Sequence, residues 1–184
     1  MKTLETERLI LRKWQETDLN DFYEYASVEG VGEMAGWPHH QDIETSKRIL
    51  SGFIEGCEVY AMVLKSEDKV IGSLGIHDRL PDPEYKADVQ REIGYVLSRD
   101  YWGQGFVPEA VREVIRYAFE DIGADVLWCA HFMENNQSRR VIEKSGFKYY
   151  RDGKRESKPL DKIFNEKQYI ITKNDYEHIR SGAN

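Results

Sequence analysis

The stretch Tyr101-Trp102-Gly103-Gln104-Gly105-Phe106-Val107-Pro108-Glu109-Ala110 separates two different apolar patterns. Residues 92–97 before it are typical of a β-strand, and after it apolar side chains recur at helical spacing up to Ile122. A glycine-bearing turn between a strand and a helix N-terminus lets backbone N–H groups converge on an anion, which the helix dipole also favours. The pattern therefore predicts a phosphate-bearing ligand at this turn.

The turn lacks the features of two common phosphate-binding loops. A dinucleotide fingerprint needs a third glycine where Pro108 stands, and a Walker loop needs Gly-Lys-Ser/Thr at its end. The spacing instead resembles the pyrophosphate loop of the GNAT acetyltransferase superfamily, Gln/Arg-x-x-Gly-x-Gly/Ala, with the middle glycine kept. A tryptophan in the first position is usual in the branch that resembles ribosomal-protein alanine N-acetyltransferases. The resemblance implies that coenzyme A is bound by Trp102, Gly103, Gln104, Gly105, Phe106 and Val107.

A second segment, residues 134–147, resembles the family element Asn-x-x-Ser-x-x-hydrophobic-hydrophobic-Glu-Lys-x-Gly-Phe. Residues 6–12 also resemble the first strand of the same branch, so the resemblance covers nearly the whole chain. It implies one α/β (α+β) N-acetyltransferase domain over residues 1–184. Its sheet is expected to be twisted, mixed and mostly antiparallel, with helices on both faces and splayed central strands.

Apolar periodicity and turn residues give an element order that agrees with this fold. Strands are predicted at residues 8–14, 58–64, 69–76, 92–97, 126–133, 147–151 and 168–172. Helices are predicted at residues 17–26, 43–55 and 106–122, with a further one beginning near Gln137. Pro81 and Pro83 break regular structure over residues 80–90.

Composition narrows the function classes. The net charge of −7 argues against broad nucleic-acid affinity, and no apolar run is long enough for a membrane span. The charged N-terminus lacks a signal-peptide core, and Cys57 and Cys129 are expected to be packed thiols, which fits a reducing cytoplasm. No His, Cys or carboxylate spacing predicts a metal. The oligomeric state stays open, a homodimer included.

The resemblance implies direct transfer of an acetyl group from acetyl-CoA to an amine, without a covalent enzyme intermediate. Ser138 has the family position near the thioester sulfur, so it is the candidate general acid; the alternative is that it only caps a helix. Asn135 is expected to bind the pantetheine arm, and backbone N–H groups around Val96 and Leu97 the thioester. The basic residues flanking the motifs are candidates for the phosphates: Arg99, Arg139, Arg140 and Lys144.

Two catalytic roles known from a related branch have no matching side chain here. Ile142 stands where that branch has a tyrosine acid, and Ala130 where it has a glutamate base. Glu92 is the best alternative base, because an extended strand projects it on the same side as Gly94, whose missing side chain leaves room for a ligand. The alternative is a solvent-facing or structurally paired carboxylate.

The acceptor site is expected in the N-terminal part of the chain. Trp37 offers an aromatic platform beside His39 and His40, whose imidazoles titrate near neutral pH, and His77 is a weaker candidate at a strand end. The predicted acceptor is a small-molecule or peptide amine, such as a protein N-terminus. A non-catalytic acyl-CoA-binding sensor or regulatory module is the rival interpretation.

Overall fold

The computed structural model describes residues 1–182 and has one sheet of eight strands. The strands are β1 (Leu4–Glu5), β2 (Leu9–Arg12), β3 (Val59–Leu64), β4 (Lys69–His77), β5 (Gln90–Leu97), β6 (Val126–Phe132), β7 (Lys148–Ser157) and β8 (Lys162–Thr172). Their order in the sheet is β1-β2-β3-β4-β5-β6-β8-β7, and all neighbours are antiparallel except β5 and β6, which are parallel. The mixed, mostly antiparallel sheet is confirmed.

Helices cover both faces of the sheet, because successive strand residues point to opposite sides. The helices are α1 (Leu19–Ala26), α2 (Ile43–Gly56), α3 (Phe106–Tyr117), α4 (Asn136–Lys144) and α5 (Lys173–Ser181). On β3, Tyr60 and Met62 face the core that contains α3, whereas Ala61 and Val63 face a second core under α1 and α2. Among the described residues, no helix combines the length and the apolar character that a membrane crossing requires.

The central strands β5 and β6 diverge, as the resemblance implied. They pair only at Gln90–Val126, Arg91–Leu127 and Glu92–Trp128, although β5 continues to Leu97 and β6 to Phe132. The far edge of each strand stays paired, β5 with β4 and β6 with β8. The result is a gap that opens through the sheet beyond Glu92.

The C-terminal hairpin is longer than predicted. β7 extends to Ser157 and β8 begins at Lys162, because cross-strand ion pairs replace apolar contacts in this part. Asp152 lies 2.9 Å from the Lys167 ammonium, and Arg155 Nε lies 2.6 Å from Glu166. The prediction also missed α5, which begins with a reciprocal cap between Thr172 and Asp175.

Candidate active site

The loop between β5 and α3 presents a row of unpaired backbone donors. Gly103 and Gly105 have φ of 76° and 82°, in the left-handed region that favours glycine, and Gly105 caps α3. The five N–H groups of residues 103–107 donate to no acceptor among residues 1–182. Consecutive donors at a helix N-terminus fit a ligand with several anionic oxygens.

The N-terminal strand region braces this loop. The Glu109 carboxylate accepts hydrogen bonds from Thr6 Oγ1 at 2.5 Å and from the Arg8 N–H and Nε at 2.8 and 2.7 Å. Arg8 also donates to the Gln104 carbonyl at 3.0 Å and stacks over Phe106. Burial acts to raise the pKa of Glu109, but these hydrogen bonds outweigh it and hold the pKa below its usual value. The brace thus fixes an ionised carboxylate behind the loop.

A cavity of about 370 Å³ extends from this loop to α4. Arg140 and Lys144 of α4 line it, which places two positive charges near the unpaired N–H groups. The other two basic residues proposed for the phosphates, Arg99 and Arg139, do not line this cavity. Arg139 pairs with Glu143 on its own helix at 3.6 Å, and Arg99 lies over the Trp102 ring at 5.6 Å from the centroid.

The edge of β5 that faces the gap carries a free amide. A methyl group added to Gly72 of β4 would lie 2.3 Å from the Val96 carbonyl oxygen, which shows that this carbonyl points toward β4. The N–H of Leu97 belongs to the same peptide unit and therefore points the opposite way, into the gap. Of the two amides predicted to bind the thioester, Leu97 has the suitable direction; the N–H of Val96 is directed toward β4.

A second cavity, of about 330 Å³, lies on the other side of the gap. Gly94 of β5 lines it and is exposed, as expected for a glycine that leaves room for a ligand. The two cavities meet at residues that line both: Met34, Ala35, Tyr95, Val96, Asn135 and Ser138. One continuous cleft therefore passes through the sheet where β5 and β6 diverge.

Tyr95 and Ser138 form the contact at this junction. The Tyr95 hydroxyl oxygen lies 2.9 Å from Ser138 Oγ, where either hydroxyl can donate, and 3.3 Å from the Ser138 carbonyl oxygen. Asn135 caps α4, since its Oδ1 accepts from the Ser138 N–H at 3.0 Å. The Ser138 hydroxyl is therefore not the helix cap. Burial raises the pKa of Tyr95 well above its usual value, so the phenol keeps its proton at neutral pH.

Glu92 lies in the second cavity as a paired carboxylate. It is 4 % exposed, contacts the Arg155 guanidinium closely through Oε1, and has Arg79 Nε 3.4 Å from Oε2. Arg155 also bonds Glu166, which is 2 % exposed. Burial acts to lower the pKa of Arg155, but the two carboxylates outweigh it and raise the pKa. Proton transfer to Glu92 would disrupt these contacts.

Comparison with known proteins decides the family. The family model described as an acetyltransferase (GNAT) domain matches residues 8–148. The chain belongs to the GNAT acetyltransferase family. The chain is 30 % identical over 152 residues to the uncharacterized N-acetyltransferase p20 of Bacillus licheniformis, covering 80 % of this chain and 83 % of p20. YoaA and YnaD of Bacillus subtilis, two further relatives, are also named N-acetyltransferases. The GNAT family and the enzyme class that the motifs predicted are confirmed.

Solved structures share the fold. A GNAT acetyltransferase from Bacillus anthracis superposes with a TM-score of 0.81 at 22 % identity, over 94 % of this chain and 99 % of that one. The microcin C7 self-immunity acetyltransferase MccE, solved in complex with acetyl-CoA and AMP, superposes with a TM-score of 0.72 at 15 % identity. That match covers 90 % of this chain and 93 % of MccE. The GNAT fold is thus confirmed over almost the whole chain.

The residues predicted from sequence to bind the cofactor fall into two groups: some offer free backbone N–H groups, and others have side chains that bind within the protein. Residues 103–107 present backbone N–H groups, while the Gln104 side chain turns away and donates to the Asp100 carbonyl at 3.2 Å. Trp102 lines the first cavity and donates from Nε1 to the Leu97 carbonyl at 2.9 Å, tying the loop to β5. Asn135 lies at the junction, but its side-chain oxygen is used as the helix cap.

The predicted acceptor residues are only partly brought together. Trp37 and His77 line the second cavity, whereas His39 and His40 line neither cavity. His39 Nδ1 contacts Glu33 at 2.8 Å. His40 is buried, with Nδ1 2.7 Å from Ser46 Oγ and a pKa lowered by burial. Both imidazoles therefore hold the local chain in place.

A segment that sequence analysis missed closes over the junction. Glu33 accepts hydrogen bonds from Gly30 N at 2.7 Å and from His39 N at 3.0 Å, and this fixes the turn carrying Met34 and Ala35. Burial acts to raise the pKa of Glu33, but these hydrogen bonds outweigh it and lower the pKa to about 2. Glycines on both sides of an acidic residue were the available signal.

The described residues contain no group of three or more His, Cys, Asp or Glu side chains that could hold a metal ion. The thiols of Cys57 and Cys129 are both free.

Proposed function

We propose that this GNAT enzyme transfers the acetyl group of acetyl-CoA directly to a primary amine within a ternary complex. The observation that carries the proposal is the meeting of two cavities at Tyr95 and Ser138. The first cavity has the donors and positive charges for the pyrophosphate of coenzyme A, and the second is open to an acceptor. Holding both reactants at one junction supplies much of the rate enhancement by orientation alone.

Direct transfer of the acetyl group is supported by the state of the cysteine that lines the cleft. Cys129 lines the second cavity, but it is buried and burial raises the pKa of its thiol. The reactive thiolate is therefore disfavoured, and a covalent acetyl-cysteine has no support at this position.

Ser138 is the residue that we assign to proton donation. We propose that Tyr95 donates to Ser138 Oγ, which leaves the serine proton directed at the departing sulfur. The leaving thiol should have a pKa of about 8.5, as cysteine does, so the proton assists the reaction but is not indispensable. The Leu97 N–H, which points into the gap, would hydrogen-bond the thioester oxygen, where negative charge develops.

The acceptor is more suitably an α-amine or another amine of low pKa. Near pH 7.4, deprotonation of an α-amine with a pKa of about 7.8 costs about half a kcal/mol, whereas a lysine with a pKa of about 10.4 costs roughly 4 kcal/mol. Glu92 is engaged by Arg155 and Arg79, and His39 and His40 lie outside the cleft. Among residues 1–182 the acceptor side therefore lacks a free carboxylate base, and His77 is the one predicted acceptor imidazole that lines it.

The test is free-thiol release from acetyl-CoA with a panel of amines. The panel contains amino acids, short peptides, polyamines, aminoglycosides and simple alkylamines. We expect turnover with at least one amine and intersecting double-reciprocal lines, which a ternary complex requires. Binding of acetyl-CoA without turnover on any amine would favour the sensor interpretation, and parallel lines would favour a covalent intermediate.

A further inference from the structure

The acceptor cavity contains carboxylates that are already satisfied. Glu166 accepts from Arg155 Nε at 2.6 Å and from Gln168 Nε2 at 2.8 Å, one partner for each oxygen. Glu92 has Arg155 on Oε1 and Arg79 beside Oε2. Each carboxylate therefore already faces at least one guanidinium, which weakens its attraction for an acceptor cation.

The unused hydrogen-bonding capacity of the same cavity includes two guanidinium groups. Arg155 donates through Nε and Nη2, but its Nη1 donates to no acceptor among residues 1–182. Arg79 makes no hydrogen bond within that range, and its side chain is 53 % exposed just beyond the end of β4. Two guanidinium groups with free N–H donors around one cavity match an oxyanion, since their geometry suits paired hydrogen bonds.

We propose that the acceptor amine carries a carboxylate, bound by Arg79 and Arg155, and this rests on the proposed function. The distance between the amine and the carboxylate of the acceptor can be estimated along strand β5. Glu92, which holds both guanidinium groups, precedes Val96 at the junction by four residues, or about 13 Å along an extended strand. The acceptor is therefore a short peptide or a similar molecule, whose carboxylate can lie up to about 13 Å from its amine.

The test compares acceptors that differ only in this charge. Alanine, dialanine and trialanine are each assayed as the free acid and as the C-terminal carboxamide, beside uncharged alkylamines. We expect kcat/KM for the acid to exceed that for its amide by about tenfold or more in at least one pair, mainly through KM. Arg79→Gln is expected to lower kcat/KM for the acid far more than for the amide, and so to bring that ratio close to one.

Arg91→Gln is the matched control. Arg91 is next to Glu92 on β5 and pairs with Asp78 at 2.7 Å, away from both cavities, so it loses the same charge without losing the proposed contact. Its acid-to-amide ratio should equal that of the wild type.

The remaining outcomes distinguish failure of the carboxylate site from failure of the proposed reaction. Turnover of alkylamines or polyamines with no preference for any acid would overturn the carboxylate site and leave the acetyltransferase reaction intact. Equal losses for acid and amide in Arg79→Gln would do the same. Absence of turnover with every amine would overturn the proposed function itself, and the carboxylate site with it.

Discussion

Gly105→Ala tests whether the loop conformation is what binds coenzyme A. Gly105 has φ of 82°, where a residue with a side chain pays about 1–2 kcal/mol. The added methyl group would lie 3.5 Å from Arg8 Nη2, an ordinary contact, so the cost comes from the backbone and not from a clash. A loop that relaxes to relieve this cost must be restored on binding. The Kd for coenzyme A should therefore rise by about 5- to 30-fold.

Gly123→Ala is the matched control for backbone strain. Gly123 has φ of 75°, and nothing lies within 4 Å of an added methyl group. It ends the helical segment that follows α3, and it lines neither cavity. The same strain should lower the Tm by about 2–8 °C for a chain of this length, with Kd unchanged.

The assay is isothermal titration calorimetry with coenzyme A, together with thermal unfolding of both variants. A folded Gly105→Ala protein with the wild-type Kd would refute the assignment of the row of N–H groups as the pyrophosphate site. Equal weakening in both variants would show that general destabilisation is responsible.

Three further predictions concern single side chains. Ser138→Ala should lower kcat by about 10²-fold if Ser138 donates the proton, and a loss of only a few-fold with coenzyme A still bound would reduce it to a positioning residue. Glu92→Gln should raise KM for the acceptor and keep the shape of the profile of kcat/KM against pH, because Glu92 holds Arg155 and Arg79; recovery of the rate at high pH would instead identify a base. Glu33, with a folded pKa of about 2 against about 4.3 unfolded, stabilises the protein above pH ~4.3 and loses this effect as the pH falls toward 2. The Tm difference between wild type and Glu33→Gln should shrink over that range, and a constant difference would contradict the assignment.

The central part of the fold could be predicted from sequence because local pattern and tertiary environment agree there. The strand over residues 92–97 and the helix from Phe106 have clear periodicities, and Gly103 and Gly105 have the left-handed φ that the turn required. The hairpin over residues 148–172 was predicted only at its apolar ends. Its middle contains charged residues that pair with the opposite strand, and a local pattern does not show such a pairing.

The candidate site could be predicted where backbone N–H groups form it, as in the glycine-bearing loop. It could not be predicted where side chains from distant segments come into contact. Glu92 was assigned from its neighbours on the strand, but its partner Arg155 lies 63 residues away on β7, and their contact depends on the tertiary fold. His39 and His40 had the right chemistry in a loop near the cleft. Their partners Glu33 and Ser46, each six residues away, turn both rings from the cavities.

The position of the junction follows from the pairing direction of β5 and β6. Among residues 1–182 these two strands are the parallel pair, so their C-terminal ends lie at the same edge of the sheet. The segment after β5 leads into α3 and the segment after β6 leads into α4, which brings both helix N-termini to that edge. The unpaired donors of residues 103–107 and the hydroxyl of Ser138 thus belong to one site because of topology. Divergence beyond Glu92 then opens the sheet between them, so that an acceptor entering from the opposite face can reach the same point.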